Sequence, residues 1–401
     1  MFKSAAAMLV FLTLVSCTSP KVDPRLARRI QSVENGLVEF VPGQADDAGM
    51  RQKMSLAERM AVHKIPGVSI AVINKGKVEW AKAYGVLNVD SRAPVTTESI
   101  FQAASTTKML VAATVLHFVG EGRLDLDRNV NDYLKSWQIP ENDLTRERKV
   151  TLRLLMTHQA GLPMTNFPTD DGPPPTLVQV LKGELPARNK PAVVEYLPGS
   201  QWQYSNIGYV VIQLLLEDLT GTPLARLMQD VIFGPLGMRS STLVYPLEPG
   251  LREREISPHD EEGKAHEPAM GGPALAQGGL MTTPTDLALF SIEIMRAYRG
   301  QSDRVLTREM ARAMLRPELD LDPALLGMPI SEGLGVMLSA DGEPFSFGHP
   351  GDNYPGASSW VMAYPDSDTG IVVMTNGAMG NLLAMEIMPA FVREYVRPAK
   401  R

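Results

Sequence analysis

Apolar positions recur at two different spacings along the chain, and the change of spacing divides it into a β-patterned beginning, a helical middle and a β-patterned end. Met50, Met54, Ala57 and Ala61 share one helical face, which predicts a first helix over Met50–Lys64. Gly67–Ile73 and Val78–Tyr84 are short apolar runs joined by Asn74-Lys75-Gly76, the pattern of an antiparallel hairpin. Helical stretches follow at Met109–Val119, Leu152–Thr157 and Ile207–Leu219, separated by Pro/Gly-rich connections. Pro168, Pro173, Pro174 and Pro175 mark an irregular loop within 163–190. Past Gly271 the β pattern returns in Gly333–Ser339, Phe345–Gly348, Ser358–Ala363 and Gly370–Thr375, and a last helix over Leu382–Tyr395 is predicted to kink at Pro389. Strands at both ends around a helical middle predict an α/β (α+β) fold: one antiparallel sheet built from both chain ends and flanked by helices, with an inserted mainly helical lobe. The sheet part is expected over 46–104 and 271–396 and the insertion over 105–270. The pattern contains neither an internal repeat nor a coiled coil.

The N-terminus follows a different logic. Lys3 precedes an apolar run from Ala5 to Val15 interrupted only by Thr13, which reads as the h-region of a signal peptide over residues 1–16. The run is too short for a helix spanning a hydrocarbon core, which needs roughly 20 apolar residues. Leu14-Val15-Ser16-Cys17 then resembles a bacterial lipobox. That resemblance implies acylation of Cys17, cleavage before it, and a cell-envelope protein tethered to a membrane and facing the periplasm or exterior. Residues 17–45 lack a sustained periodic face and read as the lipidated N-terminus and tether, with Arg25, Arg28 and Arg29 a solvated basic cluster.

Composition narrows the chemistry. Cys17 is the only cysteine of 401 residues, so intramolecular disulfides, cysteine-based zinc sites and iron–sulfur ligation are excluded. Hydrophobic residues make up 44% and charged residues 21%, enough to build a sizeable core and too polar for a multi-span membrane protein. A net charge of −6 argues against nucleic acid as the main partner.

Ser105-Thr106-Thr107-Lys108 is the single Ser-x-x-Lys of the chain and opens an apolar helical run. At i and i+3 the hydroxyl and the amine share one helix face. A serine becomes nucleophilic when an adjacent base takes its proton, and lysine serves if burial or neighbouring charge keeps it neutral. On the order of one such motif arises by chance in a chain this long, so its context decides. That context is Tyr204-Ser205-Asn206 and, just before a predicted strand, Phe347-Gly348-His349-Pro350-Gly351-Asp352.

In order and spacing these three boxes resemble those of the serine β-lactamase and penicillin-binding protein superfamily, in the class C-like branch shared with DD-peptidases and esterases. Class A enzymes carry Ser-Asp-Asn and Lys-Thr-Gly at the second and third boxes. Similarity also runs through Phe101–Ser105, Leu154–Leu162, Phe233–Met238, Gly278–Pro284 and Val373–Gly377. The resemblance implies Ser105 as acylated nucleophile, Lys108 as base or proton relay, and Tyr204 as second proton handler, its phenol eased toward phenolate by Lys108. Asn206 would orient Lys108 or the substrate amide. The oxyanion would sit on the backbone N–H groups of Ser105 and Asp352. His349 stands where Lys is usual, a group expected to titrate near pH 6.5. Pro350 replaces a hydroxyl residue that helps bind a substrate carboxylate, and Gly351 admits substrate close to the strand. The implied activity is ester or amide hydrolysis without metal or organic cofactor, with small esters and D-alanyl peptides of peptidoglycan ranked above β-lactams. The alternatives are a non-catalytic envelope protein binding peptidoglycan or a protein partner, and an acyltransferase using the same acyl-enzyme. His158 is expected to hold the loop beneath the site. His259, Asp260, Glu261, Glu262, His266 and Glu267 read as a solvated charged loop rather than a metal site.

Overall fold

The computed structural model describes residues 23–41, 52–167, 173–268, 272–323, 329–339 and 344–397; Cys17 and the apolar run before it lie outside them. Eight strands form one sheet in the order β2-β1-β10-β9-β8-β7-β6-β5, with every neighbouring pair antiparallel. The N-terminal part supplies β1 (Gly67–Asn74) and β2 (Lys77–Gly85), and the C-terminal part supplies β5 (Leu319–Asp320), β6 (Ile330–Glu332), β7 (Met337–Ser339), β8 (Phe347–Asn353), β9 (Ala357–Tyr364) and β10 (Thr369–Thr375). A sheet assembled from both chain ends is therefore observed. The β1–β2 hairpin turns on Lys75 and Gly76, both with positive φ (53° and 65°), which suits the right-handed twist of the flanking strands.

The central strands are covered on both sides, which explains their unbroken apolar runs. Val68, Ile70 and Val72 of β1, with Ile371 and Val373 of β10, face a cluster containing Leu383, Ile387 and Phe391 of the C-terminal helix Gly380–Phe391. Ala71 and Ile73, with Val372 and Met374, face the larger core, which holds Leu287, Phe290 and Ile294 of helix Pro284–Arg299 and most of helix Thr107–Gly120. The alternation along each strand assigns successive residues to opposite layers. A two-stranded sheet of β3 (Phe101–Gln102) and β4 (Met281–Thr282), absent from the sequence pattern, ties the entrance of helix Thr107–Gly120 to the chain beyond the helical middle.

Several expectations need correction. Residues 24–34 are not tether but an 11-residue helix, capped by Asp23 and started by Pro24, that contributes Val33 to the core beneath the C-terminal helix. The helix expected from Met50 begins only at Leu56: Ser55 and Glu58 form a capping box, and Met54 pairs instead with Leu37 as a bridge. The run Gly333–Ser339 is not one strand, since a turn at Gly333–Val336 separates β6 from β7. His259 is buried, its Nδ1 meeting the Asn376 carbonyl at 2.9 Å and its Nε2 accepting the Val89 N–H. It is an interior strut, not part of a solvated loop.

Helix Leu56–Val62 is riveted to the C-terminal helix by buried charges. Arg59 Nη2 meets Glu386 Oε1 at 2.5 Å and His63 Nε2 meets Oε2 at 3.0 Å, with Glu386 only 1% exposed. Burial pushes the Glu386 carboxyl up, but the hydrogen bonds from His63 and Arg59 outweigh it and hold it below its usual value. A carboxyl lowered in the folded state contributes stability above its unfolded pKa of about 4.3 and loses it as pH falls through the folded value. Glu386→Gln, which strands the Arg59 charge, is expected to lower the unfolding free energy by about 3 kcal/mol at pH 7. Urea denaturation at pH 7 and at pH 3 should show that difference shrinking in acid.

Candidate active site

Ser105 lies on a tight turn between β3 and helix Thr107–Gly120, in a single 3-10 turn over Ala104–Thr106. Ala104 takes φ 47°, a left-handed conformation costing a residue with a Cβ roughly 1–3 kcal/mol. Hydroxyls hold the turn from every side. Thr107 Oγ1 donates to the Ala104 carbonyl at 2.6 Å and accepts the Leu280 N–H at 3.1 Å. Ser359 Oγ on β9 donates to the Ala103 carbonyl at 2.6 Å, and the Thr106 hydroxyl lies 2.6 Å from Ser359 Oγ and 3.1 Å from the His349 carbonyl on β8. Sequence reasoning passed over Thr106, Thr107 and Ser359, although two hydroxyls inside a Ser-x-x-Lys motif are a readable signal for such a clamp.

Three residues after Ser105, in the first turn of the helix, Lys108 is completely buried. Its Nζ lies 3.1 Å from Ser105 Oγ, 3.0 Å from Asn206 Oδ1 and 2.6 Å from the Gln277 carbonyl. Burial holds the amine well below its ordinary pKa. A neutral amine has two N–H bonds and one lone pair. The two carbonyl oxygens take the hydrogens, so the lone pair is left for the Ser105 hydroxyl.

Tyr204 and Asn206 come from the helical part. Ser205 caps helix Asn206–Thr220 through Gly208 N, donates to the Pro163 carbonyl and gives its own N–H to His158 Nδ1 at 3.1 Å. The cap fixes the two flanking side chains. His158 packs under Tyr204 with ring centroids 4.3 Å apart, which matches its expected place beneath the site. The Tyr204 hydroxyl is turned toward Ser105, and Lys108 Nζ lies 4.9 Å from the centre of its ring.

Two electrostatic expectations are overturned. Tyr204 is pushed above its ordinary pKa, first by burial, with Glu332 adding to the shift and the Ser105 hydrogen bond opposing it. Lys108, itself held well below its ordinary pKa by burial, does not ease the phenol toward phenolate. His349 does not titrate near 6.5: burial, reinforced by Lys108, lowers it to about 3. The imidazole is neutral, with Nδ1 2.5 Å from the Pro350 carbonyl.

On β8, Gly351 runs beside the nucleophile. A Cβ there would stand 2.3 Å from the Ala103 carbonyl, 2.5 Å from Ser359 Oγ and 3.1 Å from Ser105 N, so no larger residue fits without shifting the turn. Asp352 follows, its side chain accepting from Ser358 Oγ at 2.8 Å. Ser105, Lys108, Tyr204, Asn206, His349 and Gly351 thus meet at the junction of the sheet and the helical part.

That junction, between an antiparallel sheet and a helical lobe, is the architecture of the active-site-serine class of β-lactamases and penicillin-binding proteins. The chain belongs to the beta-lactamase family, whose model matches residues 55–386. Members of the family are serine hydrolases. The chain is 29% identical over 212 residues to a putative D-alanyl-D-alanine carboxypeptidase of Escherichia coli O157:H7, covering 50% of this chain and 48% of that one. The match therefore spans about half the length of that relative. Identity to penicillin-binding protein 4 of Amycolatopsis lactamdurans is 28% over 330 residues, covering 79% and 82% of the two chains. The fold is similar to the octameric penicillin-binding protein homologue from Pyrococcus abyssi, with TM-score 0.71 and 24% identity over 84% of this chain and 75% of that one. It is also similar to the D-alanine carboxypeptidase AmpC of Burkholderia cenocepacia, with TM-score 0.67 and 20% identity over 84% and 96%.

Proposed function

We propose that the protein hydrolyses an ester or amide through an acyl-Ser105 intermediate, with small esters and D-alanyl peptides preferred to β-lactams. The observation that carries this reading is the hydrogen-bonding of Lys108, whose two fixed acceptors leave its lone pair for Ser105. Ser105 Oγ attacks the carbonyl carbon while its proton passes to Lys108 Nζ. The oxyanion is held by the N–H groups of Ser105 and Asp352. Tyr204 donates its phenolic proton to the leaving group and recovers one from Lys108. Water then attacks the acyl carbon along the same proton path in reverse, releasing the acid and restoring Ser105. Asn206 fixes Lys108. His349, neutral across physiological pH, offers no cation to a substrate carboxylate, and Pro350 no hydroxyl, which supports ranking β-lactams last.

Labelling with a fluorophosphonate, followed by peptide mapping, should place the adduct on Ser105, and a panel of esters, D-alanyl peptides and cephalosporins should give the stated order. An unlabelled Ser105 would remove the mechanism, and cephalosporin turnover equal to that of the best ester would remove the substrate ranking. The Leu14–Cys17 pattern supports membrane tethering through acylated Cys17. No helix among the described residues is long and apolar enough to cross a membrane. Cys17→Ser is accordingly expected to move the protein from the membrane pellet to the soluble fraction, and an unchanged pellet fraction would refute tethering.

A further inference from the structure

Glu332, at the end of β6, is buried to 1% exposure behind the catalytic cluster, and among the described residues neither carboxyl oxygen has a hydrogen-bond partner. The neighbouring Ser331 side chain turns the other way, to Asp320 at 2.6 Å. The turn that follows presses on the site from behind. A Cβ at Gly335 would lie 2.5 Å from Ala112 Cβ, 2.8 Å from the Tyr209 hydroxyl and 3.3 Å from the Lys108 carbonyl. The Trp202 indole N–H approaches the Glu332 carboxyl without reaching hydrogen-bond geometry, and Trp202 Nε1 is itself unpartnered.

The groups around Glu332 can be named element by element. Helix Thr107–Gly120 presents Lys108, helix Asn206–Thr220 presents Tyr209, and the segment before that helix presents Trp202 and Tyr204. On the β5 side, Glu318 is occupied by Arg153 at 2.9 Å and Arg316 at 2.8 Å. On β7 the partner residue is the uncharged Met337. His158 and His349, both neutral, face Lys108. An uncompensated buried carboxyl is costly unless a charge arrives to use it. The one group here that gains positive charge during acylation is Lys108.

We propose that Glu332 is a positioning residue of this site: it is the counter-ion for the charge Lys108 acquires on taking the Ser105 proton, and it thereby keeps the base role on Lys108 and the donor role on Tyr204. The proposal rests on the acyl-Ser105 reading above. Both of its electrostatic effects act in one direction. An anionic Glu332 favours the proton on Lys108 and makes Tyr204 and Tyr209 harder to ionise. Burial raises the carboxyl to about 8, against the pull of Trp202 and Lys108, so its ionisation falls within the working pH range. Acylation should therefore quicken as pH rises through that value.

The test is the pH profile of fluorophosphonate labelling at Ser105, with kcat/KM for a reactive ester beside it. In the wild-type protein the rate is expected to rise about tenfold from pH 6.5 to pH 9.5, as one charge contact is gained. Glu332→Gln should be flat over that range, within about twofold of wild type at the acid end and about tenfold slower at the alkaline end. Glu332→Asp should restore the rise, and a protonated-carboxyl infrared band should vanish near pH 8 in the wild type and be missing in Glu332→Gln. A purely structural role would scale the rate equally at every pH. Such a constant ratio, or identical profiles, overturns the role of Glu332 while leaving the acyl-Ser105 reading in place. A wild-type protein unlabelled at Ser105 at every pH overturns that reading, and this one with it.

Discussion

Ser105→Ala is expected to abolish ester turnover, lowering kcat by about 10⁴-fold to 10⁶-fold, the loss seen when a nucleophile that acts as a unit with its base is removed. The fold should not notice. The turn is held by Thr106, Thr107 and Ser359, none of which uses the Ser105 hydroxyl. The strained Ala104 backbone is likewise fixed from outside, by the hydroxyl of Thr107 on the Ala104 carbonyl. Thermal unfolding should therefore coincide with wild type, and substrate binding should survive because the strand edge at Gly351 is untouched. The measurement is single-turnover hydrolysis with intact-mass detection of the acyl adduct. Hydrolysis near the wild-type rate in a folded Ser105→Ala protein would mean that another group does the chemistry.

Much of this site was legible in the sequence because its chemistry is local. Ser105 and Lys108 are three residues apart where a 3-10 turn runs into a helix, and Tyr204 and Asn206 flank a serine that the sequence pattern already places before a helix. Strand patterning was legible for the same reason: β1, β9 and β10 are buried on both faces, so their apolar runs are continuous. Residues 24–34 do carry a helical face, Leu26, Ile30 and Val33 at offsets of four and three behind an Asp23-Pro24 start, so this helix was legible and the tether reading passed over it; Val33 rests in the core beneath the C-terminal helix. What else escaped depends on contacts made across the chain. The sequence neighbourhood of His349 shows no burial and so suggests a titrating group, whereas in the fold the ring is buried to 2% exposure. The sequence gives Tyr204 a cationic neighbour in Lys108, yet burial holds that amine well below its ordinary pKa and raises the phenol's. Glu332 gave one signal, an acid immediately before the apolar run Gly333–Ser339, but nothing in the sequence says that it faces a lysine more than 200 positions earlier.

Lys108→Met is expected to cost activity and to gain stability, and the two effects together identify the charge state of the amine. Methionine is close in length and flexible enough to occupy the same apolar slot, so little cavity or strain follows. Removing the base should lower acylation by about 10³-fold, within the range for general base catalysis. An unfolded lysine binds its proton up to a pKa near 10.4. In the folded protein burial depresses that value well below, opposed by Glu332, so between the folded pKa and about 10.4 the unfolded chain holds more protons than the folded one. Stability then rises with pH from the folded pKa toward about 10.4, which means that the native lysine is a destabilising presence at pH 7. Methionine abolishes that dependence. Against it stand the Gln277 carbonyl and Asn206 Oδ1, which both lose their donor at a cost of roughly 1–3 kcal/mol each. Because that cost does not vary with pH, the variant's stability relative to wild type should be greatest at neutral pH and should fall steadily as pH approaches 10, when followed by urea denaturation. A relative stability independent of pH would show Lys108 to be an ordinary ammonium in the folded protein, and a charged amine could not serve as the base for Ser105.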